Sequence, residues 1–147
     1  MIEALRALFK RDLDKLQQEI GLYVREENIW KVEGQIANSA GNLCLHLVGN
    51  LNTYIGKEIG KTDYIRNRDL EFSQKNLPRA ELLRKVQDTT RIVDKSLSRL
   101  NEIAMEEEYP LQVFDKRMTT GYFLVHLAMH LSYHLGQVNY HRRLLDK

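Results

Sequence analysis

The chain has one cysteine, two prolines and one tryptophan among 147 residues, and no apolar run approaches the roughly 20 residues of a membrane span. The lone thiol, Cys44, excludes an internal disulfide. Scarce Pro and Gly, with charged residues at 29%, argue against a disordered chain. Neither sign of charge dominates. The 22 basic residues exceed the 20 acidic ones by only +2 and are scattered rather than gathered on one stripe, which argues against nucleic acid as a partner. The opening Met1-Ile-Glu-Ala-Leu-Arg lacks the basic-then-apolar layout of a signal peptide and reads as the start of an amphipathic helix. The expectation is a cytoplasmic protein with no membrane association. An apolar fraction of 43% suffices for a core, and the length suits a single domain over residues 1–147.

What is abundant is helical periodicity. Four long stretches carry it. The first runs from about Ile2 to Arg25, with Leu5, Leu8, Phe9, Leu13, Leu16 and Ile20 on one face. A second begins near Asn38-Ser39, which are good cap residues, and continues to about Gly60. The third starts at Pro78, a residue tolerated at a helix's first position, and continues to about Ala104. The fourth follows Thr119-Thr120 and ends near Leu145. The connections between them, Glu26 to Ala37, the polar Lys61 to Leu77, and Met105 to Met118, are long, and Leu111-Gln-Val-Phe114 in the last reads as a short extended piece. Such lengths permit crossovers along a bundle as well as antiparallel links. The pattern predicts an all-α protein, a four-helix bundle with long connections.

The fourth stretch holds three of the five histidines. Phe123-Leu-Val-His-Leu-Ala-Met-His-Leu-Ser-Tyr-His-Leu-Gly-Gln137 places His126, His130 and His134 four residues apart. Each four-residue step turns a helical side chain by about 40°, so the imidazoles form one column. Imidazole is a common metal ligand, and an i, i+4 pair is a known chelating arrangement. His126 and His134 are separated by a rise of roughly 12 Å, whereas metal–nitrogen bonds are only about 2.0–2.1 Å. One ion can therefore take a single adjacent pair, either His126/His130 or His130/His134. A third ligand must come from another helix. His46, in the most apolar part of the second stretch, is the natural candidate, because bundle cores are where facing helices build metal sites.

These motifs resemble the DinB-like superfamily of four-helix metalloproteins. The match rests on His126-xxx-His130-xxx-His134-Leu-Gly-Gln137 with an isolated His46 in the second helix. The finer pattern Asn38-Ser-Ala-Gly-Asn-Leu43, His46-Leu-x-Gly-Asn50, Ile65-Arg-Asn-Arg-Asp69 and Glu71-Phe72 is similar to a bacterial subgroup of it. The resemblance implies that His46, His130 and His134 hold a divalent ion, Zn or Ni being the best suited, and that His126 lines the pocket or supports the ligands. It departs from the family's motif at Leu135, where relatives carry Arg. It also implies a homodimer, a role for Gly136 in close helix approach, and a hydrogen bond from Gln137 near the site or between helices. Relatives include transferases that use low-molecular-weight thiols such as bacillithiol or mycothiol. The implied activity is thiol transfer to a small-molecule electrophile, with a metal-dependent hydrolase or a non-catalytic metal-binding bundle as alternatives.

Other residues carry weaker expectations. Arg66, Arg68 and Asp69 read as a solvated loop in which Asp69 pairs with an arginine; alternatively, Arg66 and Arg68 bind the substrate by gripping carboxylates of a thiol cofactor. His141, beside Arg142 and Arg143, reads as an exposed residue at a helix C-terminus, favoured by the helix dipole. Tyr133 reads as packing. Cys44 lies about 200° around the helix from His46 and reads as a small buried residue facing away from any ion.

Overall fold

The structure, a computed structural model, describes residues 1–147 and is all-α. Helices α1 (Ile2–Gly21), α2 (Ala40–Leu51), α4 (Arg79–Leu97) and α6 (Thr120–Leu145) form the bundle, and α3 (Arg68–Ser73) and α5 (Glu102–Glu106) are short. α1 buries Ile2, Leu5, Phe9, Leu13, Leu16 and Ile20, the face its periodicity marks out. It packs on α4 and α6, as does α2, so that α1 and α2 occupy opposite corners. One core of 28 buried residues draws on all four long helices. No helix is long and apolar enough to cross a membrane.

Local chemistry sets the ends of these helices. Ser39 Oγ accepts from Asn42 N at 3.1 Å and starts α2, and Thr119 Oγ1 accepts from Tyr122 N at 3.1 Å and starts α6. α2 continues into a turn of π-helix at Asn52–Lys57. There Asn52 Nδ2 and Thr53 Oγ1 donate to the carbonyls of Val48 and Gly49 at 2.8 and 2.7 Å.

Three sequence expectations change. α1 ends at Gly21 rather than Arg25, because Asp146 accepts from Val24 N at 2.6 Å and Arg25 N at 3.2 Å and leads the chain into a 3₁₀ turn, Glu26–Trp30. The third stretch ends at Leu97 rather than Ala104. Asn101, in extended backbone, accepts from Ala104 N at 2.8 Å and opens α5 as a separate helix. Leu111–Phe114 is not a strand. The only extended pairing is a bridge between Glu108 and Thr119, which closes the loop at its base and leaves Phe114 against Phe123.

Pairwise contacts give the helix directions. Arg6 in α1 bonds Asp94 late in α4 at 2.9 Å, so these two run antiparallel. Asn52 meets Thr89, and Gly60 meets Ser96, so α2 and α4 advance together. Two parallel neighbours need a return crossover, which is what residues 61–77 provide. The crossover leaves beside Arg99, which donates to Gly60 O at 3.0 Å, and comes back to the start of α2, where Asn42 Nδ2 donates to Gln74 O at 2.8 Å. It carries α3 past the middle of α2.

Candidate metal centre

His46, buried in α2, meets His130 and His134 from α6. His130 Nε2 lies 3.2 Å from His46 Nε2 and 3.1 Å from His134 Nε2. One ligand atom from each of the three residues falls within 4.8 Å of the others. A tetrahedral ion with bonds of about 2.0–2.1 Å separates its nitrogens by about 3.4 Å, close to the two spacings around His130 Nε2.

The protons support the same fit. His46 Nδ1 donates to Glu71 Oε1 at 3.1 Å, and His134 Nδ1 donates to Gln137 Oε1 at 2.7 Å. A neutral imidazole has one N–H, so both Nε2 atoms present lone pairs toward His130. His130 can donate to at most one of them, and its Nδ1 is buried without a partner. Burial pushes the His130 pKa down to about 4, and the neighbouring His134, His46 and His126 push the same way. Burial also lowers His134, partly offset by Gln137. Three converging imidazole nitrogens, two of them with lone pairs turned inward, suit a cation, and these residues could hold a metal ion.

His126 stands one turn away and does not join the cluster. Its ring stacks 6.4 Å from His130 and lies between Phe114, at 4.8 Å, and Phe123, at 5.9 Å. Gln137 bonds within its own helix rather than across helices.

Glu71 is buried on α3 beside the site, although its polar sequence surroundings suggest a solvated residue. Its carboxylate takes the His46 N–H and two bonds from Arg66, Nε to Oε2 and Nη2 to Oε1, each 2.9 Å. Burial works to raise its pKa, but the His46 and Arg66 hydrogen bonds outweigh burial and hold it below the usual carboxylate range. Gly49, one turn after His46, makes the room. A Cβ there would sit 1.9 Å from Glu71 Oε2 and 2.5 Å from Cδ. Phe72 covers the His46 ring at 4.9 Å, and Arg68 lies over Phe72 at 5.3 Å.

Several side chains differ from expectation. The carboxylate that pairs with an arginine in the crossover is Glu71, not Asp69. His141 is buried rather than exposed: Tyr23 OH donates to its Nδ1 at 2.6 Å and its Nε2 donates to Lys31 O at 2.8 Å. Gly136 permits no close approach, since nothing lies within 4 Å of a Cβ placed there. Tyr133 is 66% exposed, so it is a rim residue rather than packing, with its ring 5.3 Å from His134. Cys44 is fully buried, as expected, and burial pushes its thiol up to about 12.

Beside His134 and Gln137 opens a cavity of about 510 Å³ walled by Ile36, Ala37, Leu43, Tyr133, Tyr140 and Leu144. Asn38, Gln35 and His141 complete its lining, and no Asp, Glu, Lys or Arg contributes to it. Its volume lies in the range of small-molecule sites.

A family model described as "Protein of unknown function (DUF1572)" matches residues 1–147. No curated protein matches the sequence significantly. Among solved structures, the crystal structure of a conserved protein from Enterococcus faecalis superposes with a TM-score of 0.76 at 14% identity, covering 99% of this chain and 96% of that one. That likeness shows the fold.

Proposed function

The chain belongs to the DUF1572 family, and we propose that it is a DinB-like, divalent-metal-dependent enzyme that transfers a low-molecular-weight thiol to a small electrophile. The observation that carries this reading is the convergence of three imidazole Nε2 atoms beside an uncharged cavity. His46, His130 and His134 would hold a divalent ion, which when bound would supply the Lewis acidity that favours the thiolate form of a thiol at neutral pH. The cluster contains three ligand residues, and both Glu71 oxygens are engaged by His46 and Arg66. That arrangement favours an open position on the ion, as catalytic rather than structural sites have.

The chain's own residues divide the remaining work. Tyr133, Tyr140 and Leu144 give the cavity an apolar wall that suits a neutral electrophile, and no charged side chain lines it. In the transfer the thiol releases its proton to solvent, sulfur bonds to the electrophilic carbon, and the leaving group departs with the electrons of the broken bond. Arg66 is committed to Glu71, which disfavours a grip on the thiol's carboxylates by Arg66. Arg68, over Phe72, is the arginine left for that role. A reduced thiol pool is the cytoplasm's, which is where the reading places the protein.

The reading includes a homodimer through the outer face of α6. Tyr122, Val125 and Met129 lie exposed there, and no Asp, Glu, Lys or Arg occurs between Arg117 and Arg142. An uncharged apolar face is complementary to its own copy across a two-fold axis.

Elemental analysis tests the metal. Wild type retains a divalent ion, while His46→Ala and His130→Ala lose it; equal metal in all three sinks the assignment. A thiol panel against a generic electrophile, with and without chelator, tests the reaction. Chelator-sensitive consumption of thiol supports transfer, and chelator-sensitive ester cleavage without thiol replaces it with hydrolysis.

A further inference from the structure

We propose that Glu71 is the positioning residue of the metal centre: clamped by Arg66 and admitted by Gly49, it fixes His46 as the Nδ1–H tautomer with Nε2 free for the ion. The inference rests on the metal reading above and adds a residue from the crossover to a site otherwise made by α2 and α6. Two bonds from Arg66, at 2.9 Å each, hold the carboxylate in one orientation, so it meets His46 Nδ1 as an acceptor at 3.1 Å. An imidazole that donates from Nδ1 keeps its lone pair on Nε2, the atom that faces His130. Groups that orient a ligand histidine in this way typically change metal affinity by 10–100-fold when removed.

The position of Glu71 is itself built. Asn42 Nδ2 donates to Glu71 O at 2.9 Å and to Gln74 O at 2.8 Å, fastening both ends of the last turn of α3 to the start of α2. Phe72, the next residue, lies on the His46 ring, so one turn of α3 supplies both the orienting carboxylate and a cover. Gly49 is required because any side chain at that point of α2 occupies the carboxylate's space. Ligand and slot therefore come from α2, and carboxylate and clamp from the crossover that passes it.

Imidazole ¹⁵N NMR on the metal-free protein, paired with competition titration of Zn(II), tests the inference. In wild type His46 is a single Nδ1–H tautomer. Glu71→Ala turns it into a mixture or the Nε2–H form and weakens Zn(II) binding 10–100-fold, with circular dichroism unchanged. Glu71→Gln keeps an acceptor for Nδ1 but no charge, so it retains the tautomer and gives an intermediate affinity. An unchanged tautomer in folded Glu71→Ala, or affinity within two-fold of wild type in either variant, overturns the inference. Should Glu71→Ala not fold, Glu71→Gln decides by its affinity. If wild type binds no ion, the metal reading fails, and the tautomer comparison still decides what Glu71 does to His46.

Discussion

Replacing Gly49 with alanine sets two effects of opposite sign against each other. Alanine in a helix interior is favoured over glycine by about 1 kcal/mol, so propensity alone makes the variant more stable. Against this, the new Cβ would stand 1.9 Å from Glu71 Oε2, and the carboxylate can move only by giving up His46 and Arg66. Breaking a buried ionic pair costs about 3–5 kcal/mol, because the partners are left uncompensated. The net expectation is a loss of about 2–4 kcal/mol, which lowers Tm by roughly 4–16 °C for a chain of this size. Urea denaturation followed at 222 nm, in excess chelator, measures it without a contribution from bound ion. Gly136→Ala is the control. Nothing lies within 4 Å of its Cβ, so it should gain about 0.5–1 kcal/mol. If the loss comes through Glu71, the Gly49→Ala/Glu71→Ala double variant is no less stable than Glu71→Ala alone. A Gly49→Ala protein as stable as wild type, or additive losses in the double variant, refutes the steric account.

His141 makes stability depend on pH. Burial holds its pKa below the ordinary 6.5, only partly offset by its bond to Lys31 O, so the folded chain refuses a proton that the unfolded chain accepts. Its stabilisation is present above pH 6.5 and is lost as pH falls toward the folded value. The urea-midpoint gap between wild type and His141→Gln therefore narrows from pH 7 to pH 5, and a constant gap contradicts this. Cys44 reacts with a thiol reagent only when the chain opens, so native protein that labels as fast as unfolded protein rules out its burial. His126→Ala keeps its metal by elemental analysis while His46→Ala does not, and equal loss would place His126 among the ligands. Met129→Lys should halve the mass seen by light scattering, and an unchanged mass removes α6 from the dimer contact.

The long helices were legible because each must bury one face, and that requirement repeats every turn. Leu5, Phe9, Leu13, Leu16 and Ile20 needed no knowledge of what they touch. The ends were less legible because they depend on remote partners. Asp146 stops α1 from 122 positions away through Val24 N, and no local pattern at Val24 announces it. Asn101 is the counterexample. Its cap is local, but the apolar spacing on either side, through Leu97 and Leu100, continued across it and outweighed one polar residue. α3 was invisible for a different reason: Arg68-Asp-Leu-Glu-Phe-Ser is too short and polar to carry a stripe. It exists because parallel α2 and α4 require a crossover, and only the finished bundle imposes that.

The candidate metal centre divides along the same line. The rise of a helix is a local property, so spacing alone limited the column to two neighbouring histidines. Spacing could not choose the pair, because the choice is made elsewhere: Phe114 and Phe123 hold His126, while His46 faces His130. Glu71 lay furthest from view, since a glutamate in a polar run is ordinarily solvated. Yet one signal was present. Gly49 follows His46 by three positions, on the same helical face, in an otherwise well-packed helix where alanine is the cheaper residue. A glycine there leaves a gap against the imidazole, and a gap beside a buried histidine's ring has to be filled by whatever bonds its second nitrogen. Arg66 and Glu71, an opposite-charge pair in the crossover that passes that gap, were the residues able to fill it.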